Sequence, residues 1–391
     1  MKTYIIVDHG ATFMHTHHGH LISGFVSLLD NKNCDYKVFL PFGSQLNLQI
    51  DNNKLKKNLL PCYHPRAFDF SKLETYLPAL LNLVYRFTKN NFLYKVTSKL
   101  LSNYVIRNTI FRLNRTGTLT NETIILFPTA CPVSLLIGLE LHKRKVKVEI
   151  VYRLTNTAEN RNYFSPMINL NEVIAKLSKS NQPKVKFCYE TNEYAATFGI
   201  HRTLLEFSPS PPSRVESVSK IENENVVISM LGIAQNHKKR IEALREIFHQ
   251  NLSFSGFQTQ WLIQIGESDR FDSFMQSKNL NLLIGIVDED LMKKTLKQTS
   301  ILLLLYDVNF YRTNASAMAY RAADYLLPII TYSGSAFANE ISKFHLGKVI
   351  DNISDLKSAI EEIVTSYKEI QLNIDSYNTL RQSTNYRILY L

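Results

Sequence analysis

Scarcities are the first signal in this chain of 391 residues. Its 4 cysteines (Cys34, Cys62, Cys131, Cys188) are scattered, with no C-x-x-C. That spacing excludes a disulfide framework and fits a reducing compartment. Uncharged apolar runs are short: the longest, such as ILLLLY at 301–306, fall far below the roughly 18 residues that a membrane-crossing helix requires. The opening MKTYIIVDHG has too brief an apolar stretch for a signal peptide and reads as a first β-strand. No fixed-period repeat and no low-complexity tract is present.

Acidic residues are also short, 34 against 45 Lys and Arg, for a net charge of +11. The deficit is local. Residues 75–121 contain no Asp or Glu, yet hold seven cations from Arg86 to Arg115 and seven aromatics from Tyr76 to Phe111. A helical segment of that composition reads as an element for an anionic membrane surface, with Lys and Arg at headgroups and aromatics at the interface. Nucleic acid is the other anion to consider, but no reader motif accompanies the basic run, so no nucleic acid is expected. The combination points to a cytoplasmic protein peripherally associated with the inner face of the membrane.

What is abundant is alternation. Short β-branched or apolar runs alternate with helical patterns along nearly the whole chain, the mark of parallel α/β sheets with crossover helices. Strands are expected at 3–8, 36–41, 123–128, 146–153, 185–190 and 203–207. The stretch SPSPPSRVESVSK then places Pro209, Pro211 and Pro212 among serines, which neither helix nor strand can continue. A second series follows, with strands at 225–232, 260–266, 281–287 and 301–306, then LLPIITY and GKVI. The expected fold class is α/β, with two doubly wound Rossmann-like domains facing a cleft. Their spans are residues 1–208, residues 209–370 and a tail, 371–391, that crosses back to the first domain. Ligands of such sheets bind at the carboxyl ends of the strands.

YRTNASAMAYRAADYLLPIITYSGSAFANEI, from Tyr311 to Ile341, is the most informative stretch. Small residues at helical spacing predict a helix over 314–326 with Thr313 or Asn314 as its cap. Its N-terminus, with Ser316 nearby, and the turn Ser333, Gly334, Ser335 after the next strand would bring backbone amides to one sheet edge, which suits a diphosphate.

The order of strand, small-residue helix, PIIT, glycine turn, helix and GKVID resembles the donor-binding half of GT-B fold nucleotide-sugar glycosyltransferases, in particular the large retaining group. LGIAQNHKKRIEAL resembles the group's G-R-x-x-x-x-K-G pattern. Gly232 matches its glycine and Lys238 its lysine, Ile233 replaces its arginine, and Lys239 and Arg240 supply neighbouring charge. The group's acidic pair is absent: Thr313 and Arg321 stand in its two places, and Asp324 lies about one turn on. The resemblance implies a nucleotide-sugar co-substrate, a glycan or lipid-linked glycan acceptor, and no metal or other cofactor.

The first loop, DHGATFMHTHHGH, carries His9, His15, His17, His18 and His20. Its H-x-H-H-x-H spacing matches no zinc pattern, and no cysteine lies near. In inverting enzymes of this fold a His at the start of the first helix is the general base. The resemblance makes His20 the best fit, with His17 and His18 as rivals, since imidazole titrates near working pH. Arg153, past a strand end, is expected on the transferred sugar, with Glu190 and Glu193 as further candidates. A sugar-nucleotide epimerase and a non-catalytic binding module derived from the fold are the alternatives.

Overall fold

The structure, a computed structural model, describes residues 2–11, 17–60, 91–115, 119–130, 132–154, 170–179, 183–213, 221, 225–232, 247, 254, 256–266, 279–285 and 287–391. The chain divides into two compact units, Met1–Pro211 together with Thr384–Leu391, and Pro212–Ser383. Among the described residues, no helix is long and apolar enough to cross a membrane.

The first unit holds β1 (Thr3–Val7), β2 (Asp35–Pro41), β3 (Leu55–Leu59), β4 (Thr123–Ala130), β5 (Glu149–Leu154), β6 (Lys184–Tyr189) and β7 (Leu205–Phe207). All pair in parallel, in the order β3-β2-β1-β4-β5-β6-β7. Its helices are α1 (His17–Asn31), α2 (Asn91–Arg115), α3 (Pro132–Lys143), α4 (Leu170–Ser178) and α5 (Asn192–Ala196). Side chains of a strand alternate between faces, so Ile5 and Val7 join one core while Tyr4 and Ile6 join another. That double burial is what a parallel sheet covered on both faces requires.

The second unit repeats the plan with β8 (Asn225–Met230), β9 (Gln258–Ile265), β10 (Leu280–Ile284), β11 (Ile301–Leu304), β12 (Ile329–Tyr332) and β13 (Gly347–Ile350). The order is β10-β9-β8-β11-β12-β13, again parallel. Helices α6 (Glu289–Gln298), α7 (Val308–Tyr311), α8 (Ala317–Asp324), α9 (Ala336–Lys343), α10 (Leu356–Thr365) and α11 (Tyr367–Leu389) belong to this half of the chain. Strand β11 is buried at every position, as expected of a central strand. Within α11, Ile370, Ile374 and Tyr377 belong to the second unit's core, and Ile388 and Leu389 to the first unit's.

Three features of the structure differ from what the sequence alone suggests. Strand β3, LKKNL, has no counterpart in the sequence reading, because an edge strand with Lys56 and Lys57 shows neither an apolar run nor clean alternation. The helix expected over 314–326 is shorter: Ser316 is its N-cap, its hydroxyl accepting from the Ala319 N–H at 3.3 Å, so neither Thr313 nor Asn314 caps it. Asp324 is not available to a ligand. It is buried in an ion pair with Arg381 at 2.8 Å, and it also accepts the Ser213 N–H at 3.1 Å.

Burial pushes the Asp324 carboxyl up to about 6 despite the opposing pull of Arg381. Arg381 is equally sheltered, between the rings of Tyr320 and Tyr377. Removing one partner strands the other charge. Arg381→Met is therefore expected to lower the unfolding free energy by roughly 3–5 kcal/mol in urea titrations, and adding Asp324→Leu to recover most of it. Equal losses in the single and double variants would contradict the pairing.

Candidate functional site

In the first sheet the chain order reverses between β1 and β4, the switch point where ligands of doubly wound sheets bind. Asp8 is the residue after β1, His18 lies in the first turn of α1, and Thr129 sits near the end of β4. Three steps of β4, from Phe127 to Ala130, match two of β5, from Tyr152 to Leu154. Pro128 falls in that bulge, where its missing N–H costs no ladder bond, and the extra residue re-aims Thr129.

These elements converge on the Asp8 carboxylate. His18 Nδ1 lies 3.0 Å from both of its oxygens, the Thr129 hydroxyl donates at 2.6 Å, and the Gly10 N–H donates at 2.8 Å. Burial alone would raise the Asp8 pKa. The charge of His18 and the hydrogen bonds from His18, Thr129 and Gly10 outweigh it and hold the carboxyl below its ordinary range. A carboxylate only accepts, so His18 Nδ1 carries a proton and Nε2 is the nitrogen that can receive one. This is the arrangement of a general base oriented by an acid.

His20, the sequence's first choice, lies on the same helix but is only 8% exposed, whereas it is His18 that meets the Asp8 carboxylate. The i to i+2 offset turns it to another side of α1. His17 opens α1, but its side chain lies outside the described residues, as does His15. Arg153 is wholly buried. It pairs with Glu190 and donates to the carbonyls of Ser208 (3.2 Å) and Pro128 (3.5 Å), so its guanidinium ties strand ends together. Glu193 is in the first turn of α5, whose cap is Thr191. Asp8 and Thr129 escaped the sequence reading. The available signal was D-H-G directly after the first strand.

The corresponding edge of the second unit is built from backbone. Gly232 follows β8 with φ +88°, and a Cβ there would lie 3.2 Å from Met318 Cγ and 3.5 Å from the Tyr306 hydroxyl. Its N–H donates to buried Gln264 at 2.7 Å, and Gln264 in turn donates to the Gly285 carbonyl at 2.9 Å, tying the ends of β8, β9 and β10. Gly334, at φ +83°, leaves only 2.9 Å between an added Cβ and Val308, and Ser335 is the cap residue of α9. Ser316 caps α8, and Thr313 and Asn314 lie just before it, half-buried. Gly232, Ser316, Gly334 and Ser335 thus follow or flank β8, β11 and β12 at one sheet edge. Two helix starts beside glycine turns there offer N–H groups to an anion. Arg321 is buried and donates to Glu289 at 2.7 Å. Lys238, Lys239 and Arg240 lie outside the described residues. Among the described residues, no three His, Cys, Asp or Glu side chains form a metal-binding group.

No family model matches the chain, and no curated protein matches it. Solved structures do. The lipopolysaccharide outer core galactosyltransferase WaaB in its apo form is 12% identical with TM-score 0.58, over 99% of both chains. An α,α-trehalose 6-phosphate synthase from Burkholderia multivorans is 10% identical with TM-score 0.59, over 100% of this chain and 98% of its own. A protein from Listeria monocytogenes assigned as a UDP-N-acetylglucosamine 2-epimerase is 11% identical with TM-score 0.57, over 100% of this chain and 95% of its own. The chain has the GT-B fold, two Rossmann-like units with parallel sheets.

Beside the pair, burial lowers the His9 pKa from 6.5 to about 4, against the attraction of Asp8. The unfolded chain therefore binds a proton that the folded chain refuses between those values. Stability is fully present above pH 6.5 and is lost as pH falls toward 4, by roughly 3 kcal/mol. Urea titrations at pH 7 and pH 4 should show this loss, and His9→Gln should flatten it.

Proposed function

We propose that the protein is a glycosyltransferase that moves a sugar from a nucleotide-sugar donor to a cell-surface glycan acceptor of lipopolysaccharide, capsule or O-antigen type. The observation that carries this reading is the Asp8–His18 pair at the switch point of the first sheet, in a chain whose second sheet ends in amide-rich turns. His18 Nε2 takes the proton of the acceptor hydroxyl as that oxygen attacks the sugar's anomeric carbon, and Asp8 stabilises the imidazolium that forms. The amides at Ser316, Gly334 and Ser335, with Lys238 and Arg240, meet the diphosphate beside the Gly232 turn, and its charge grows as its bond to the sugar breaks. No metal or other cofactor takes part in this scheme.

Helix α2 supports an anionic membrane surface as a partner. Val105, Ile106, Ile110 and Leu113 bury one face, while Val96, Leu100 and Phe111 are 38%, 52% and 57% exposed beside exposed Lys99, Arg107 and Arg115. The rest of the 75–121 segment up to residue 90, and residues 116–118, lies outside the described residues. An acceptor anchored in lipid would be met at that surface.

The whole-chain likeness to an epimerase favours a second reading, since epimerisation also needs an acid/base pair. Donor incubated without acceptor separates the two: an isomerised sugar nucleotide favours the epimerase, an unchanged one the transferase.

A thermal-shift screen of UDP-, GDP-, CMP- and dTDP-sugars should show one preferred class, and Lys238→Ala should weaken it. Transfer by His18→Ala should fall by about 10²- to 10⁴-fold with donor binding retained; an unchanged rate would remove His18 from the reaction. Replacing Lys99 and Arg107 together by Gln should cost roughly 2 kcal/mol of partition onto anionic vesicles, some thirtyfold, read by cosedimentation.

A further inference from the structure

We propose that His9, held by Thr109 of α2, is a positioning residue for the Asp8–His18 pair. His9 sits in the middle of a tight turn closed by the Gly10 N–H donating to Asp8 Oδ1 at 2.8 Å. Any movement of the His9 backbone therefore carries one of the carboxylate's donors with it. That oxygen also faces His18 Nδ1 at 3.0 Å, while Oδ2 is shared by Thr129 and His18. The carboxylate's aim at His18 is set by the turn, and the turn has one side chain in its middle.

That side chain is anchored across 100 residues of sequence. His9 Nε2 lies 2.9 Å from the Thr109 hydroxyl, and both residues are buried. The Thr109 hydroxyl gives its only proton to the Val105 carbonyl at 2.9 Å, so toward His9 it can only accept. His9 is thus the Nε2–H tautomer, neutral because burial depresses its pKa to about 4. Its Nδ1 is buried and has no hydrogen-bond partner among the described residues. A histidine kept neutral and bonded through one nitrogen only is an expensive way to fill space. It makes sense as a strut whose length fixes where Asp8 points. The strut ends on α2, the helix whose opposite face is exposed and cationic, so the base pair and that helix share one rigid connection.

The kinetic part of the test rests on the glycosyltransferase reading, and the spectroscopic part does not. In the full-length protein, Thr109→Val removes the acceptor and Thr109→Ser keeps it. Thr109→Val is expected to shift the NMR titration midpoint of His18 and to lower kcat by about ten- to a hundredfold with the donor KM unchanged. Thr109→Ser should restore both. A His18 midpoint that is the same in Thr109→Val and wild type overturns the proposal, as does a loss confined to thermal stability. A shifted midpoint in a protein that transfers no sugar from any donor would sink the glycosyltransferase reading and leave the strut standing. Should Thr109→Val fail to fold, His9→Gln and His9→Asn decide. Gln reaches the Nε2 position with a donor and should behave as wild type, whereas Asn falls short and should not; identical behaviour of the two overturns the proposal.

Discussion

A buried carboxylate must be surrounded by donors or give up its charge, and Asp8 is the clearest case in this protein. Ionised and almost without solvent, it would cost several kcal/mol if left bare. The turn after β1 supplies an N–H, α1 supplies an imidazole, and the bulged end of β4 supplies a hydroxyl. Each donor comes from a different element, so satisfying one charge sets the mutual position of three. The same contacts assign the tautomer of His18.

The two sheets share a topology and differ in chemistry at their carboxyl edges. The first edge is a matter of side chains, with Arg153 and Glu190 paired beside the Asp8 cluster. The second is a matter of backbone: left-handed glycines at 232 and 334 and the starts of α8 and α9, with Gln264 tying the strand ends together. Side chains move protons, and fixed amides hold anions. The first unit's edge thus offers a proton acceptor, and the second unit's edge offers backbone N–H groups. Arg321, which stands where the retaining group has a carboxylate, is neutralised by Glu289 instead of facing the edge alone.

Much of the architecture was legible because parallel sheets write themselves in apolar runs. ILLLLY and TIILFP can be little other than central strands, and the prolines at 209, 211 and 212 cannot continue either element. Strand β3 was not legible, since two lysines in five residues hide an edge strand. Helix α8 begins later than its apolar spacing suggested, because spacing reports which face is buried and the cap hydroxyl of Ser316 decides where the helix starts.

The candidate site marks the limit more sharply. Composition and order by themselves determined two α/β series, a histidine-rich first loop, glycines at the second series' turns and an acid-free basic segment. They could not rank His17, His18 and His20, because the rank depends on which one meets a carboxylate. That meeting joins residue 8 to residue 18 through a helix start and to residue 129 through a strand pairing. Likewise nothing in the order of residues connects His9 to Thr109, or Asp324 to Arg381. Local sequence sets periodicity and turn chemistry, which act over a few residues. The partners of a buried charge are chosen by the folded backbone, which alone brings distant positions within hydrogen-bond reach.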